Sequence, residues 1–130
     1  MNKVIIASGP VIFKDGKTLL NISGKDTFWK FCGGIVEENE NLIETATREA
    51  KEEMGINIKI TNSEPFLLHT TKEKDGETLD IILVHFLADF TGEIIPHKEV
   101  HEHAWLDINN LPENLAPNII PTLKHFELMK

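Results

Sequence analysis

The chain has 130 residues, enough for one domain over 1–130 and too few for two independent cores. Its 41% hydrophobic and 26% charged residues are those of a folded globular protein. With 21 acidic against 13 basic residues, a formal charge of −8 and scattered lysines, it offers no basic face for a nucleic-acid polymer, and an anionic substrate would need a divalent cation to neutralise the local field.

The first residues, Met1 to Ser8, turn polar too soon for a signal peptide. No apolar run approaches the roughly 20 residues of a membrane span. A soluble cytoplasmic protein without a membrane partner is expected, monomeric or homodimeric. Residues 3–13 read as a strand with a bend at Gly9-Pro10. Asp15-Gly16 signals a hairpin, and Thr18 to Ile22 returns as a second strand. A polar loop leads through Trp29 and Phe31 to Gly33-Gly34 and a short strand at Ile35-Val36. Cys32 is the one cysteine, so no intrachain disulfide can form, which fits a reducing compartment.

A helix follows. Asn41 with Glu44 reads as a capping box; Leu42, Ile43, Ala46, Ala50 and Met54 recur at helical spacing; Gly55 stops the run. Ile56 to Ile60 resumes as a strand, and strands over 64–72 and 79–90 flank a second hairpin signal, Asp75-Gly76. A short strand surrounds Trp105, and a terminal helix is predicted from Asn118 to Met129 with Pro121 in its first turn. The order does not alternate strand and helix regularly, so an α+β sheet with helices on its faces is expected rather than a doubly wound sheet.

Seven glutamates lie between Gly34 and Ile56, opposed by Arg48, the chain's one arginine, and Lys51. On a helical wheel Glu49, Glu52 and Glu53 fall within an arc of about 100° that abuts the apolar stripe. Like charges at these spacings repel, and carboxylates at the margin of a core lose hydration. An acidic surface helix is the plainer explanation of such a cluster; a hard divalent cation, bound through carboxylate oxygens, is the other.

The spacing favours the second. Gly34, Glu40, Arg48-Glu49, Glu52-Glu53 and Gly55 reproduce every charged and glycine position of the pattern Gly-x5-Glu-x7-Arg-Glu-U-x-Glu-Glu-x-Gly-U, where U is aliphatic. A chance match of all seven is on the order of one in a million. The chain thus resembles the Nudix hydrolase family, of the MutT-like nucleotide pyrophosphohydrolase type. Trp29-Lys30-Phe31-Cys32-Gly33-Gly34 resembles the run that commonly precedes the motif, and Glu102, Trp105 and Leu111-Pro112 resemble later features. Cys32 and Asn39 depart from the usual proline and glycine, implying altered loop stiffness.

The resemblance implies an α/β/α sandwich with a mixed central sheet, and an enzyme that cleaves a nucleoside diphosphate linked to another moiety. It implies Mg²⁺ (or Mn²⁺) held by Glu49, Glu52, Glu53 and a main-chain carbonyl at Gly33 or Gly34. Glu102 is the implied outlying ligand, with Glu99 as second choice. Catalytic roles fall to Glu49, Glu52 and Arg48, which orients a glutamate; Glu40 supports the loop before the helix. Trp29, Phe31 and Phe66 are candidates to stack on a base and Asn118 to read its edge. A metal cluster at His97, His101 and His103 is disfavoured, since a hard phosphate site prefers oxygen donors. The expected substrate is a small nucleotide, an ordinary or damaged nucleoside triphosphate giving monophosphate and pyrophosphate. The alternatives are ADP-ribose, a nucleotide sugar or a dinucleoside polyphosphate, and a non-catalytic nucleotide-binding module.

Overall fold

The computed structural model describes residues 2–130; Met1, the start of the stretch read as too polar for a signal peptide, lies outside them. The central strand β1 (Lys3–Lys14) runs parallel to β6 (Glu77–Thr91) over residues 3–12, then turns its last two residues to β2 (Lys17–Ser23). β7 (Val100–Asp107) extends the sheet beyond β2, while β4 (Asn57–Ile60) and β5 (Phe66–Lys74) both pair antiparallel with β6. The two-residue β3 (Gly34–Ile35) pairs with β1. The sheet is therefore mixed, and both hairpins fall where the Asp-Gly signals placed them, with positive φ at Asp15 and Asp75.

The helix α1 (Leu42–Met54) packs on one face and α2 (Ile119–His125) on the other. Strand alternation divides the core between them. Val84 and Phe86 of β6 lie under Ala46 of α1, and a second cluster joins Ala50 and Met54 to Leu19 and Ile12. Leu87, Val11 and Leu20 meet Ile119 and Leu123 on the opposite side. α1 begins with the reciprocal Asn41–Glu44 capping box and ends at Gly55 in the left-handed conformation.

Three expectations need correction. Gly9-Pro10 does not bend the strand: both residues stay within β1, and Gly9 serves a crossing, since a Cβ there would collide with the Cys32 carbonyl oxygen. The residues 24–33 loop passes directly over the central strand at that point. The terminal helix stops at His125, because Glu127 turns left-handed (φ 58) and Phe126, Leu128 and Met129 fold back onto the α2-side core. Ile43, placed on the apolar stripe, is exposed; Thr45 is buried instead. Among the described residues no helix is long and apolar enough to cross a membrane.

Candidate active site

α1 sorts its carboxylates by depth. The Glu49 side chain is 17% exposed, Glu52 60%, and Glu53 is largely buried beside the stripe. Arg48 connects the first two, and ties them to Glu40. All five of its N–H groups are engaged: Nε and Nη2 grip the two oxygens of Glu40 at 2.6 and 3.1 Å, Nη1 reaches Glu49 at 2.8 and Glu52 at 3.0 Å, and Nη2 also donates to Ile35 O at 3.1 Å. Glu40 accepts further bonds from Thr45 Oγ1 and the Glu37 N–H, which is why Thr45 is buried. The two-point grip of Arg48, with the Glu37 and Thr45 donors, holds the Glu40 carboxyl down to about 2. Glu40 thus ties the preceding loop to the helix, and Asn39 supplies the left-handed turn (φ 67) where the motif usually has glycine.

Glu53 is in the opposite condition. Burial pushes its carboxyl up to about 7; the Lys30 ammonium pulls it down, the Glu49 charge adds to the rise, and the Gly33 N–H and Asn21 side chain favour the ionised form. Its Oε1 is sealed from solvent without a hydrogen-bond partner, and so is Oδ1 of buried Asn21. These are the only two such atoms among the described residues, and both are oxygen acceptors. Cys32 lies behind them with Sγ 3.7 Å from Glu49 O; burial, then the Glu53 and Glu49 charges, push its thiol up, so it is no nucleophile.

Gly34 brings the main chain against Glu49: a Cβ there would collide with the carboxylate. On the α1 side, a cleft of about 200 Å³ is lined by Ser23, Glu49, Glu52, Glu53, His97, Glu99 and Val100. Hydrogen bonds from Ile95 N to Met54 O and from His97 N to Glu53 O, both 2.8 Å, stitch the residues 92–99 loop to the end of α1. On the α2 side, a cavity of about 590 Å³ has apolar walls that include Ile5, Ile81, Leu83 and Phe31, cations at Lys30, Lys72 and Lys74, and Asn118 and His85 among its lining. Gly33 and Gly34 line this larger cavity, so the glycine pair is the wall between the two spaces.

The expected site residues divide accordingly. Gly33, Gly34, Phe31 and Asn118 line the larger cavity, and Glu49, Glu52 and Glu53 line the acidic cleft. Trp29 packs in the α2-side core and bridges Leu115, while Phe66 stacks against His125; neither lines the cavity. Glu102 is exposed in register with Ile22, one residue out of phase with Asn21 and Ser23, and the strand irregularity at Ile22/Ser23 leaves Glu99 to line the cleft. Sequence reading passed over Asn21 and His85. Asn21 carried a faint signal, as a polar residue on the same strand face as core-facing Leu19; His85 carried none.

A divalent cation fits what is present. Among the described residues no three acidic, histidine or cysteine side chains already converge as a cage. Mg²⁺ asks for less, since it is usually bound by one or two carboxylates, waters and substrate phosphate oxygens. The two orphaned oxygens supply an unmet demand for positive charge next to Glu49.

The NUDIX domain family matches residues 6–126. An ADP-ribose pyrophosphatase of Methanocaldococcus jannaschii is 32% identical over 112 residues, covering 83% of this chain; the chain spans 64% of that protein's length. A CTP pyrophosphohydrolase of Escherichia coli is 29% identical over 136 residues, covering 98% of this chain and 95% of the relative. Among solved structures, the E. coli ORF135 protein superposes with a TM-score of 0.71 at 30% identity, covering 97% of this chain and 90% of the other. A MutT NUDIX hydrolase from Burkholderia pseudomallei gives 0.74 at 24% identity, covering 95% and 98%, and confirms the mixed sheet flanked by helices. With the motif intact on α1 and the match running across both faces of the sheet, the chain belongs to the Nudix hydrolase family of pyrophosphohydrolases.

Proposed function

We propose that the protein hydrolyses a nucleoside triphosphate to the monophosphate and pyrophosphate, in a reaction that depends on Mg²⁺ (or Mn²⁺). The observation that carries this reading is the buried, partnerless oxygen of Glu53 beside Glu49, one glycine pair away from a cavity large enough for a nucleoside. Glu49, Glu52 and Glu53 would hold the ion, with a main-chain carbonyl at Gly33 or Gly34. Bound there, it would supply positive charge against the diphosphate and lower the pKa of a coordinated water.

The chain's own residues do the rest. Arg48 fixes Glu49 and Glu52 through one nitrogen, so that both carboxylates are oriented before substrate arrives. Glu52, the exposed member, has Oε2 held by Arg48 and would take a proton from water on its other oxygen. Lys30, which lines the larger cavity paired with Asp26 at 2.9 Å, offsets phosphate charge, and Phe31 with Asn118 receives the base. A second reading, hydrolysis of ADP-ribose, is favoured by the archaeal relative of that name.

The test is release of pyrophosphate from a panel of nucleoside triphosphates with Mg²⁺, beside release of AMP from ADP-ribose. Turnover of triphosphates that Glu53→Gln abolishes supports the first reading. Turnover confined to ADP-ribose replaces it with the second. Binding without turnover of either leaves a nucleotide-binding module.

A further inference from the structure

The wall of the larger cavity contains a polar pair that the carboxylate cluster does not use. Asn118 occupies the cap position of α2 yet makes no capping hydrogen bond: its backbone is helical (φ −91, ψ −7), and the third residue of the helix is Pro121, which has no N–H to donate. The amide, unneeded by its helix, turns to the sheet, where Nδ2 lies 3.3 Å from Nδ1 of His85 on β6. Both residues line the cavity, and both are buried, Asn118 to 3% exposure and His85 to 5%. The Phe31 ring, also lining the cavity, packs against the imidazole with centroids 5.0 Å apart. Among the described residues no hydrogen bond reaches Asn118 Oδ1 and the atom is not sealed from solvent, and the residue itself lines the cavity.

We infer that His85 is a positioning residue for substrate selection: its Nδ1 accepts from Asn118 Nδ2 and thereby holds Asn118 Oδ1 toward the cavity, as the acceptor for an N–H group on the edge of a nucleobase. The inference rests on the nucleotide reading above. Burial pushes the imidazole down to about 4, so the ring is neutral at ordinary pH and has one acceptor nitrogen. The bond from the Asn118 amide assigns that acceptor to Nδ1 and the proton to Nε2. Were His85 unable to accept, the Asn118 amide could reverse and present a donor instead, and the site would select a different edge.

The test compares wild type with His85→Phe, His85→Asn and Asn118→Ala. Each is titrated, without metal, with nucleoside 5′-monophosphates and with ribose 5-phosphate, which lacks the base; kcat and KM are measured for the preferred triphosphate. Wild type should bind its best monophosphate at least about tenfold tighter than ribose 5-phosphate. His85→Phe, which keeps a ring against Phe31, should lose most of that preference and raise KM about tenfold. It should leave ribose 5-phosphate affinity unchanged and kcat within about twofold. His85→Asn, with an amide oxygen near the place of Nδ1, should restore most of the preference, and adding Asn118→Ala to His85→Phe should cost nothing further.

Unchanged base preference in His85→Phe overturns the inference, as does a wild type that ignores the base, or a loss that strikes ribose 5-phosphate equally and that His85→Asn fails to repair. If wild type turns over no triphosphate yet shows His85-dependent base preference, the inference stands and the pyrophosphohydrolase reading falls. Brisk triphosphate turnover with KM insensitive to His85 does the opposite: the pyrophosphohydrolase reading stands and the role of His85 falls.

Discussion

Arg48 and Glu53 lie five residues apart on one helix, and their surroundings are opposites. Around Arg48 every donor has an acceptor: three carboxylates and a carbonyl take all five N–H groups, and Glu40 is doubly held. Around Glu53 and Asn21 two sealed oxygens have nothing to accept from. The first is a finished electrostatic structure; the second is unfinished, and a buried acceptor without a donor is a cost that folding alone does not repay. Acidic residues next to each other on one helix thus serve different ends, and the difference is written in their hydrogen bonds rather than in their charge.

Changing the unfinished side should have the largest effect. Glu53→Gln is expected to lower kcat by about a thousandfold and abolish Mn²⁺ binding followed by electron paramagnetic resonance, without unfolding the protein, since it removes a buried charge. The two sides should also answer pH with opposite sign. Glu53 titrates near 7 when folded and near 4 when unfolded, so the metal-free folded state holds the extra proton between those values. Its stability should therefore fall as pH rises from about 5 to 8, by about 2 kcal/mol, some thirtyfold in the folding constant. Glu53→Gln should flatten that slope in denaturant titrations with a chelator present, and Mg²⁺ should stabilise the wild type more at pH 8 than at pH 6. Glu40, held at about 2, contributes in the other direction, its support being lost only as pH falls from about 4 toward 2.

On the finished side, Arg48→Lys should cost about twentyfold in kcat, because an ammonium cannot grip Glu40 at two points while orienting Glu49 and Glu52. Gly34→Ala should cost about tenfold, since its methyl group displaces the Glu49 carboxylate, with little change in thermal unfolding. The smallest effect is expected of Glu102→Gln, under about twofold in kcat, against about tenfold for Glu99→Gln, whose side chain lines the cleft. A reversal of that last pair would show that the strand moves when the site is loaded.

How far the sequence was legible follows the range of the interactions. The Asn41–Glu44 box, both Asp-Gly hairpins and the seven-position motif are local, each set by residues a few positions apart, and the structure realises the predicted helix and turns. Helical spacing grouped Glu49, Glu52 and Glu53 at the margin of the buried stripe, while the structure covers Glu49 and Glu53 and leaves Glu52 exposed. Asn21 was barely legible and His85 not at all, since their meaning depends on which strand lies beside β2 and β6. Glu102 was placed by its spacing from Trp105 in the family resemblance, but the register is regular from Trp105 to Glu102, so three residues of strand alternation set Glu102 on the face opposite Trp105 and Asn21; the irregularity comes only beyond it, at Ile22/Ser23. The end of α2 likewise turns on Glu127 folding its neighbours back onto a distant core.

The close passage of Cys32 over Gly9 carries a consequence for thermal behaviour. The chain that bears the glycine pair rests on the middle strand of the sheet with no room for a methyl group between them. It cannot swing outward as a hinged flap without parting from the buried middle of β1. Heating should accordingly extinguish catalysis and amide protection along β1 in one cooperative step, with no warm, folded but inactive form in between.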